Sequence, residues 1–218
     1  MSRLKEIVIL GAGRGSAELI DLLRATGFRA VSALDDSWPR SPTEVGGVAV
    51  TGTLADAAHH VAKGRKLLLG IANARNRSIR IEIHRGVDCA DSAWAVFADP
   101  LSTVSRSADL GAGCIIYPGA RVATGVRLRR QVLVYYNAVI HHDVILGDGV
   151  IVCAGVLIAG NVEVGEGTYL GIGSVLRDGV RVGRGVLVGM GAVVTQDIPD
   201  GATVTGIPAR SVWEGGTV

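Results

Sequence analysis

From Val104 to Val194 every sixth residue is a branched aliphatic, sixteen positions in one unbroken frame: Val104, Leu110, Ile116, Val122 and so on to Val188 and Val194. From Ala108 to Ala192, the residue two places before each aliphatic is always Ala, Cys, Val, Thr or Ser. Gly recurs near the block ends, from Gly113 and Gly119 to Gly185 and Gly191. A period of six matches neither the 3.6 of an amphipathic helix nor the 2 of a strand. It predicts a hexapeptide β-helix, in which each block supplies a short strand and a corner and three blocks close a triangular coil. The aliphatic points inward and stacks on its equivalent one coil away. Gly takes corners that need positive φ or close backbone approach. Sixteen blocks give about five coils and, at about 4.8 Å per rung, a prism about 24 Å tall.

The first ninety-five residues follow a different pattern. Glu6 to Leu10 reads as a buried strand, Gly11-Ala12-Gly13-Arg14-Gly15-Ser16 as a Gly-rich turn, and Ala17 to Arg24 as a helix ended by Gly27. Phe28 to Leu34 is a second strand, followed by Asp35-Asp36. Val48 to Val50 is a short strand, Leu54 to Ala62 a helix, Lys66 to Ile71 another strand, and a helix runs from about Arg75 to His84. Strands alternating with helices predict a small Rossmann-like parallel sheet. The fold class is therefore an α/β domain over residues 1–95 and a β-helix over 96–218. The stretch from Ser92 to Pro100 joins them, with Trp94 and Phe97 packing the joint.

Composition narrows the function. Aromatics are 4% and there are 31 glycines among 218 residues, as suits a core of stacked aliphatics. A net charge of +2, with no long basic run, argues against a nucleic-acid binder. Cys89, Cys114 and Cys153 are odd in number and lack metal or disulfide spacing, which favours a reduced cytoplasm. The apolar run before Gly11 is too short for a signal peptide, and no run is long enough for a membrane span.

Two stretches have the residues for chemistry. Gly11-x-Gly13 follows a strand and opens a helix, with Asp35 at about the distance of a ribose contact. That is half of a dinucleotide fingerprint, and the helix N-terminus behind the turn favours phosphate. A tight turn without ligand is the alternative, since Ser16 replaces the third Gly. The second stretch is His141-His142-Asp143, at a corner beyond the inward Ile140. His59, His60 and His84 lie on or beside helices and read as solvated or packed. Removing a proton from an attacking nucleophile needs a base of near-neutral pKa, for which His is suited, and a carboxylate on the other ring nitrogen fixes the tautomer. Two surface histidines at a corner, or His141 rather than His142 as the base, are the alternatives.

The repeat resembles the left-handed β-helix of the hexapeptide-repeat acyltransferases. Together with the Gly-x-Gly domain, nearly the whole chain resembles the sugar O- and N-acetyltransferases of the sialic acid and bacillosamine type. The resemblance implies an acetyl-CoA-dependent transferase, needing no metal, that acts as a homotrimer on the amine of a nucleotide-linked amino sugar. It implies His142 as general base and Asp143 as its partner. It implies sugar-nucleotide contacts at Gly13, Arg14, Gly15, Asp35, Asp36, Ala72 and Asn73. The oxyanion donor would be Gly160, eighteen residues and one coil beyond His142. Acetyl-CoA would lie along Gly171, Ile172, Gly189 and Met190, with Arg210 toward a phosphate. The chain departs from the family at Arg14-Gly15-Ser16, where Gly-His-Gly is frequent, at Ala72 in place of Gly, and at Ile151 in place of a second His. Arg127, Arg129 and Arg130 form a basic cluster, read as a solvated face or as a contact to a neighbour's diphosphate. O-acetylation of a sugar, a three-His metal hydratase and a non-catalytic sugar-nucleotide binder are the rival readings.

Overall fold

The computed structural model describes residues 4–40, 42–72 and 74–212. The chain forms two compact units, Met1–Ala72 with Glu82–Val96, and Asn73–Ile81 with Phe97–Val218.

The first unit is built on β1 (Lys5–Leu10), flanked in parallel by β2 (Phe28–Leu34) and β5 (Lys66–Leu69). Ile7 to Leu10 and Leu67 to Leu69 are fully buried, as a near-continuous apolar run in a covered parallel sheet requires. The helix α1 (Arg14–Arg24) buries Leu19, Ile20 and Leu23. It starts three residues earlier than the pattern of apolar positions indicated, because Gly13 serves as its N-cap. The stretch at Val48 meets the parallel sheet only through a single parallel bridge, Val50 to Ala33 of β2. Just before it, β3 (Glu44–Val45) and β4 (Val48–Ala49) form a small antiparallel hairpin across Gly46-Gly47, both at positive φ. The helix from Leu54 opens as a single 3₁₀ turn, Leu54–Asp56, with a Thr53–Asp56 capping box, and continues as α2 (Ala57–Ala62). The last helix, α3 (Ile79–Gly86), begins four residues later than expected. Asn76 and Ser78 hydrogen-bond to each other there, an alternative to helix that such side chains favour.

The second unit is a parallel β-helix. After β6 (Phe97–Ala98) come sixteen two-residue strands, β7 (Thr103–Val104) to β22 (Val193–Val194), then β23 (Thr203–Thr205) and β24 (Arg210–Ser211). They assemble into three sheets, one per face, and from β6 to β19 each strand pairs in register with the strand eighteen residues on, as in Val122, Ile140, Ile158, Leu176 and Val194, while β21 pairs with β23 sixteen residues on. The second residue of each strand is the sixth-position aliphatic, and from Ile116 onward every one is buried. The small residues two places before pack in a second buried layer, among them Ala120, Val126, Ala138 and Val144. The solenoid exceeds the expected five coils. β6 adds a rung below the periodic run and β23 one above it, so one face has seven parallel rungs, about six turns. Neither end strand keeps the aliphatic frame, which is why the repeat did not reveal them. β24 turns back antiparallel on β23 and closes the upper end.

The corners explain the glycines. From 113 to 191 every sixth residue has positive φ. Ten of these are Gly, and the others are Gln131, Asn137, Asp143 and Asn161, at φ between 56 and 59°. Asn and Asp are the side chains that best tolerate this conformation. A second feature is a strap within the same unit. Arg80, fully buried, donates from Nε to the Gln131 carbonyl at 2.8 Å, Ile81 packs against Gly149, Ser78 lies beside Gly167, and Arg77 donates to the Gly185 carbonyl at 3.0 Å. Residues 77–81 thus run along one corner column of the prism, and burial lowers the Arg80 pKa to about 10. Among the described residues no helix is long and apolar enough to cross a membrane.

Candidate active site

His142 and Asp143 occupy the corner between β13 (Val139–Ile140) and β14 (Ile145–Leu146). Asp143 takes the left-handed conformation at φ 58°, and one carboxylate oxygen lies over Gly125, one coil back, in space a Cβ would occupy. The other oxygen is 3.1 Å from His142 Nδ1. An ionised carboxylate only accepts, so this contact puts the ring proton on Nδ1 and leaves the Nε2 lone pair free. Both side chains are substantially exposed, 49% and 63%. A pair so exposed adds little stability, so its value lies in the orientation it imposes. His141 is exposed with its ring 5.9 Å from that of His142, and it has no ion pair among the described residues.

Gly160 lies one coil on. A Cβ there would stand 2.7 Å from His142 Nε2, so only Gly lets the imidazole rest over this corner. Gly160 is buried and its N–H meets no acceptor among the described residues. An unpaired buried donor beside a free imidazole nitrogen is the arrangement a tetrahedral oxyanion needs. The same missing Cβ is 3.0 Å from Oδ1 of Asp178, a residue that nothing in the repeat pattern singles out.

The residues expected along acetyl-CoA are not beside His142 in one chain. Ile172 and Met190 sit on a different corner, past β18 (Tyr169–Leu170) and β21 (Leu187–Val188), where they are 59% and 78% exposed. Gly171 and Gly189 are explained locally: a Cβ on Gly171 would meet the Met190 nitrogen at 2.7 Å, and one on Gly189 the Thr205 hydroxyl at 2.8 Å. Arg210 is exposed and donates to its neighbour's carbonyl, Ala209, at 2.9 Å. Ile151, at the place of the family's second His, is fully buried in the ladder between Leu133 and Tyr169.

In the first unit the Gly-rich turn is held by Asp35, which accepts from the Ala12 N–H at 2.8 Å and from the Ser37 N–H and hydroxyl at 2.9 and 2.6 Å. Burial would raise the Asp35 pKa, but these hydrogen bonds lower it. Asp35 thus fastens the turn to the end of β2. Asp36 accepts from the Leu54 N–H at 2.9 Å and lines a cavity of about 470 Å³ with Leu54, Ala58, Ile83, Val87 and Asp88. Gly13 and Arg14 are exposed at the N-terminus of α1, which no side chain among the described residues caps. A Cβ on Gly15 would meet the Gly70 carbonyl oxygen at 2.8 Å, and one on Gly70 would overlap Ser16. The close helix–strand packing that the third fingerprint glycine usually permits is achieved here by Gly70, opposite Ser16. Ser16 is fully buried and its hydroxyl has no hydrogen bond among the described residues. Ala72 is exposed, and Asn73 lies outside the described residues. Among the described residues no group of three or more His, Cys, Asp or Glu is arranged to hold a metal ion.

A parallel β-helix bearing a His–carboxylate pair and a free Gly N–H on adjacent coils defines an acyltransferase of the hexapeptide-repeat class. Residues 161–196 match the family profile described as bacterial transferase hexapeptide (six repeats). No curated protein matches the sequence. Among solved structures, the acetyltransferase domain of PglB from Neisseria gonorrhoeae FA1090 is 31% identical, with a TM-score of 0.84 over 95% of this chain and 100% of that one. The same domain in complex with acetyl coenzyme A gives 31% and 0.85, over 95% and 99%. PerB from Caulobacter crescentus, in complex with CoA and GDP-perosamine, is 28% identical with a TM-score of 0.84 over 96% and 98%. The chain belongs to the hexapeptide-repeat acetyltransferases of the PglB and PerB type.

Proposed function

We propose that the protein transfers acetyl from acetyl-CoA to the amine of a nucleotide-linked amino sugar. The observation that supports this best is the free Nε2 of His142, fixed over Gly160 by the contact of Nδ1 with Asp143. The acceptor amine attacks the thioester carbonyl, Nε2 takes its proton, and the Gly160 N–H stabilises the oxyanion. As the intermediate collapses, the C–S bond breaks and the imidazolium returns the proton to the departing thiolate.

The relatives support the choice of substrates. The PglB domain has been solved with acetyl coenzyme A, and PerB with CoA and GDP-perosamine. Variants of the Caulobacter enzyme with a histidine changed to alanine or asparagine have also been solved with CoA and GDP-perosamine. In the first unit, the helix N-terminus without a side-chain cap and the exposed Gly13 and Arg14 suit a diphosphate at Gly13, Arg14 and Gly15. The cavity beside Asp36 suits the nucleoside. Because Ile172 and Met190 lie on another corner than His142, we assign their acetyl-CoA contacts to an adjacent copy in a homotrimer, with Arg210 toward a CoA phosphate. Free cysteines at 89, 114 and 153 fit a reducing cytoplasm.

The test is thiol release from acetyl-CoA with a panel of GDP- and UDP-linked amino sugars. The wild type is expected to acetylate at least one of them at nitrogen. His142→Ala is expected to lose about 10²–10⁴-fold in turnover while keeping the assembly state. Near wild-type turnover in that variant would overturn the assignment of the base.

A further inference from the structure

His142, Gly160 and Asp178 form one corner column, each eighteen residues from the next. The two outer side chains both lean over the glycine between them. The point where a Gly160 Cβ would stand is 2.7 Å from His142 Nε2 and 3.0 Å from Asp178 Oδ1. The base nitrogen and a carboxylate oxygen therefore flank the same small volume. Asp178 is exposed, and it has no hydrogen bond or ion pair among the described residues. Its geometry is not needed to orient the imidazole, because Asp143 already engages Nδ1.

A hydroxyl acceptor brings a single proton, which Nε2 removes on attack. A sugar amine arrives largely as the ammonium. It sheds one proton to water to become a nucleophile and a second to His142 as the C–N bond forms. A carboxylate beside the base attracts the ammonium and accepts a hydrogen bond from the free amine, and it offers a neutral hydroxyl much less. We propose that Asp178 is the residue that selects an amine over a hydroxyl acceptor at this site. The inference rests on the acetyltransferase reading above and states the acceptor chemistry of that same corner.

The experiment uses the full-length protein and the nucleotide-linked amino sugar from the panel that the wild type turns over fastest. It is paired with the same nucleotide sugar bearing a hydroxyl in place of the amine. Dissociation constants for both are measured with wild type, Asp178→Asn and His142→Ala. The wild type is expected to prefer the amine by about ten- to a hundredfold, the range of a hydrogen bond to a charged group. Asp178→Asn should bring the two constants within about threefold. It should raise KM for the amine about tenfold or more and leave KM for acetyl-CoA unchanged. His142→Ala should keep the preference while losing turnover. A loss of structure would weaken both ligands and acetyl-CoA alike, so it is separated from the proposed role. An Asp178→Asn variant that keeps the wild-type preference overturns the inference and leaves the acetyltransferase reading standing. A wild type that acetylates no amino sugar overturns both.

Discussion

Asp143 meets two demands with one side chain. Its corner requires positive φ, and its carboxylate orients His142. The two can be separated, because Asn fills the equivalent corner at Asn137 and Asn161. Asp143→Asn is expected to melt within a few degrees of the wild type yet lose about 10²–10⁴-fold in kcat, since an amide that donates to Nδ1 leaves Nε2 protonated. Asp143→Ala should lose activity and also about 1–2 kcal/mol of stability, the cost of a Cβ in that conformation without a compensating side chain. Thermal melts beside steady-state kinetics distinguish the two variants. The pairing of His142 with Asp143 was legible in the sequence because the two are adjacent at a corner just beyond the inward Ile140. Asp178 was not. An exposed Asp two coils away looks like any other surface carboxylate until the space above Gly160 is measured. Asp35 was legible as a fingerprint acid, but its hydrogen bonds to Ala12 and Ser37 show that it also fastens the turn.

At the level of the element, the six-residue frame located all sixteen strands from β7 to β22, because each strand contributes one inward aliphatic. It could not locate β6, which has Ala98 at the frame position, or β23, whose buried Val204 pairs with Val188 sixteen residues back and so falls outside the frame. The helix starts were misjudged for local reasons: Gly13 caps α1 earlier than the apolar stripe begins, and Asn76 and Ser78 delay α3. Core columns and close-approach glycines should respond differently to substitution. Leu146→Ala, at a fully buried rung, is expected to cost about 2–5 kcal/mol in urea unfolding. Gly165→Ala places a Cβ 2.6 Å from backbone atoms of Gly183 and Arg184, which cannot rotate away. Its expected cost is about 1–3 kcal/mol, and the same urea series measures it. No change at Gly165 beyond a few tenths would show that the coils can spread there.

For the whole molecule, the expected solution state is a trimer, read by light scattering on the eluting species. Alkaline stability is a second property at this scale. Burial pushes the Cys114 thiol up to about 12, and nearby hydrogen bonds and the Arg80 charge offset only part of this. A folded pKa raised above the ordinary thiol value means the folded state keeps a proton that the unfolded chain gives up. The stability contribution is therefore intact below about pH 9 and is lost as pH rises toward 12. Wild type should lose stability faster over that window than Cys114→Ala, and parallel slopes in denaturant melts would refute this. At neutral pH, alkylation of the native protein should label Cys89, which is partly exposed, well before Cys114.

The eighteen-residue register has a consequence for how such a chain can change length. Each corner column is a phase relation: His142, Gly160 and Asp178 meet only because every turn between them has the same number of residues. Deleting a single residue between Asp143 and Gly160 would rotate all later side chains out of phase, turning inward aliphatics outward and separating the base from its glycine. Removing or duplicating eighteen residues above Asp178 would leave the phase untouched and shorten or lengthen the prism by one floor. Length in this protein is therefore quantised: coils above Asp178 can be added or taken away only in whole steps, which leave the His142 corner in place while shifting Met190 and Arg210 by one floor.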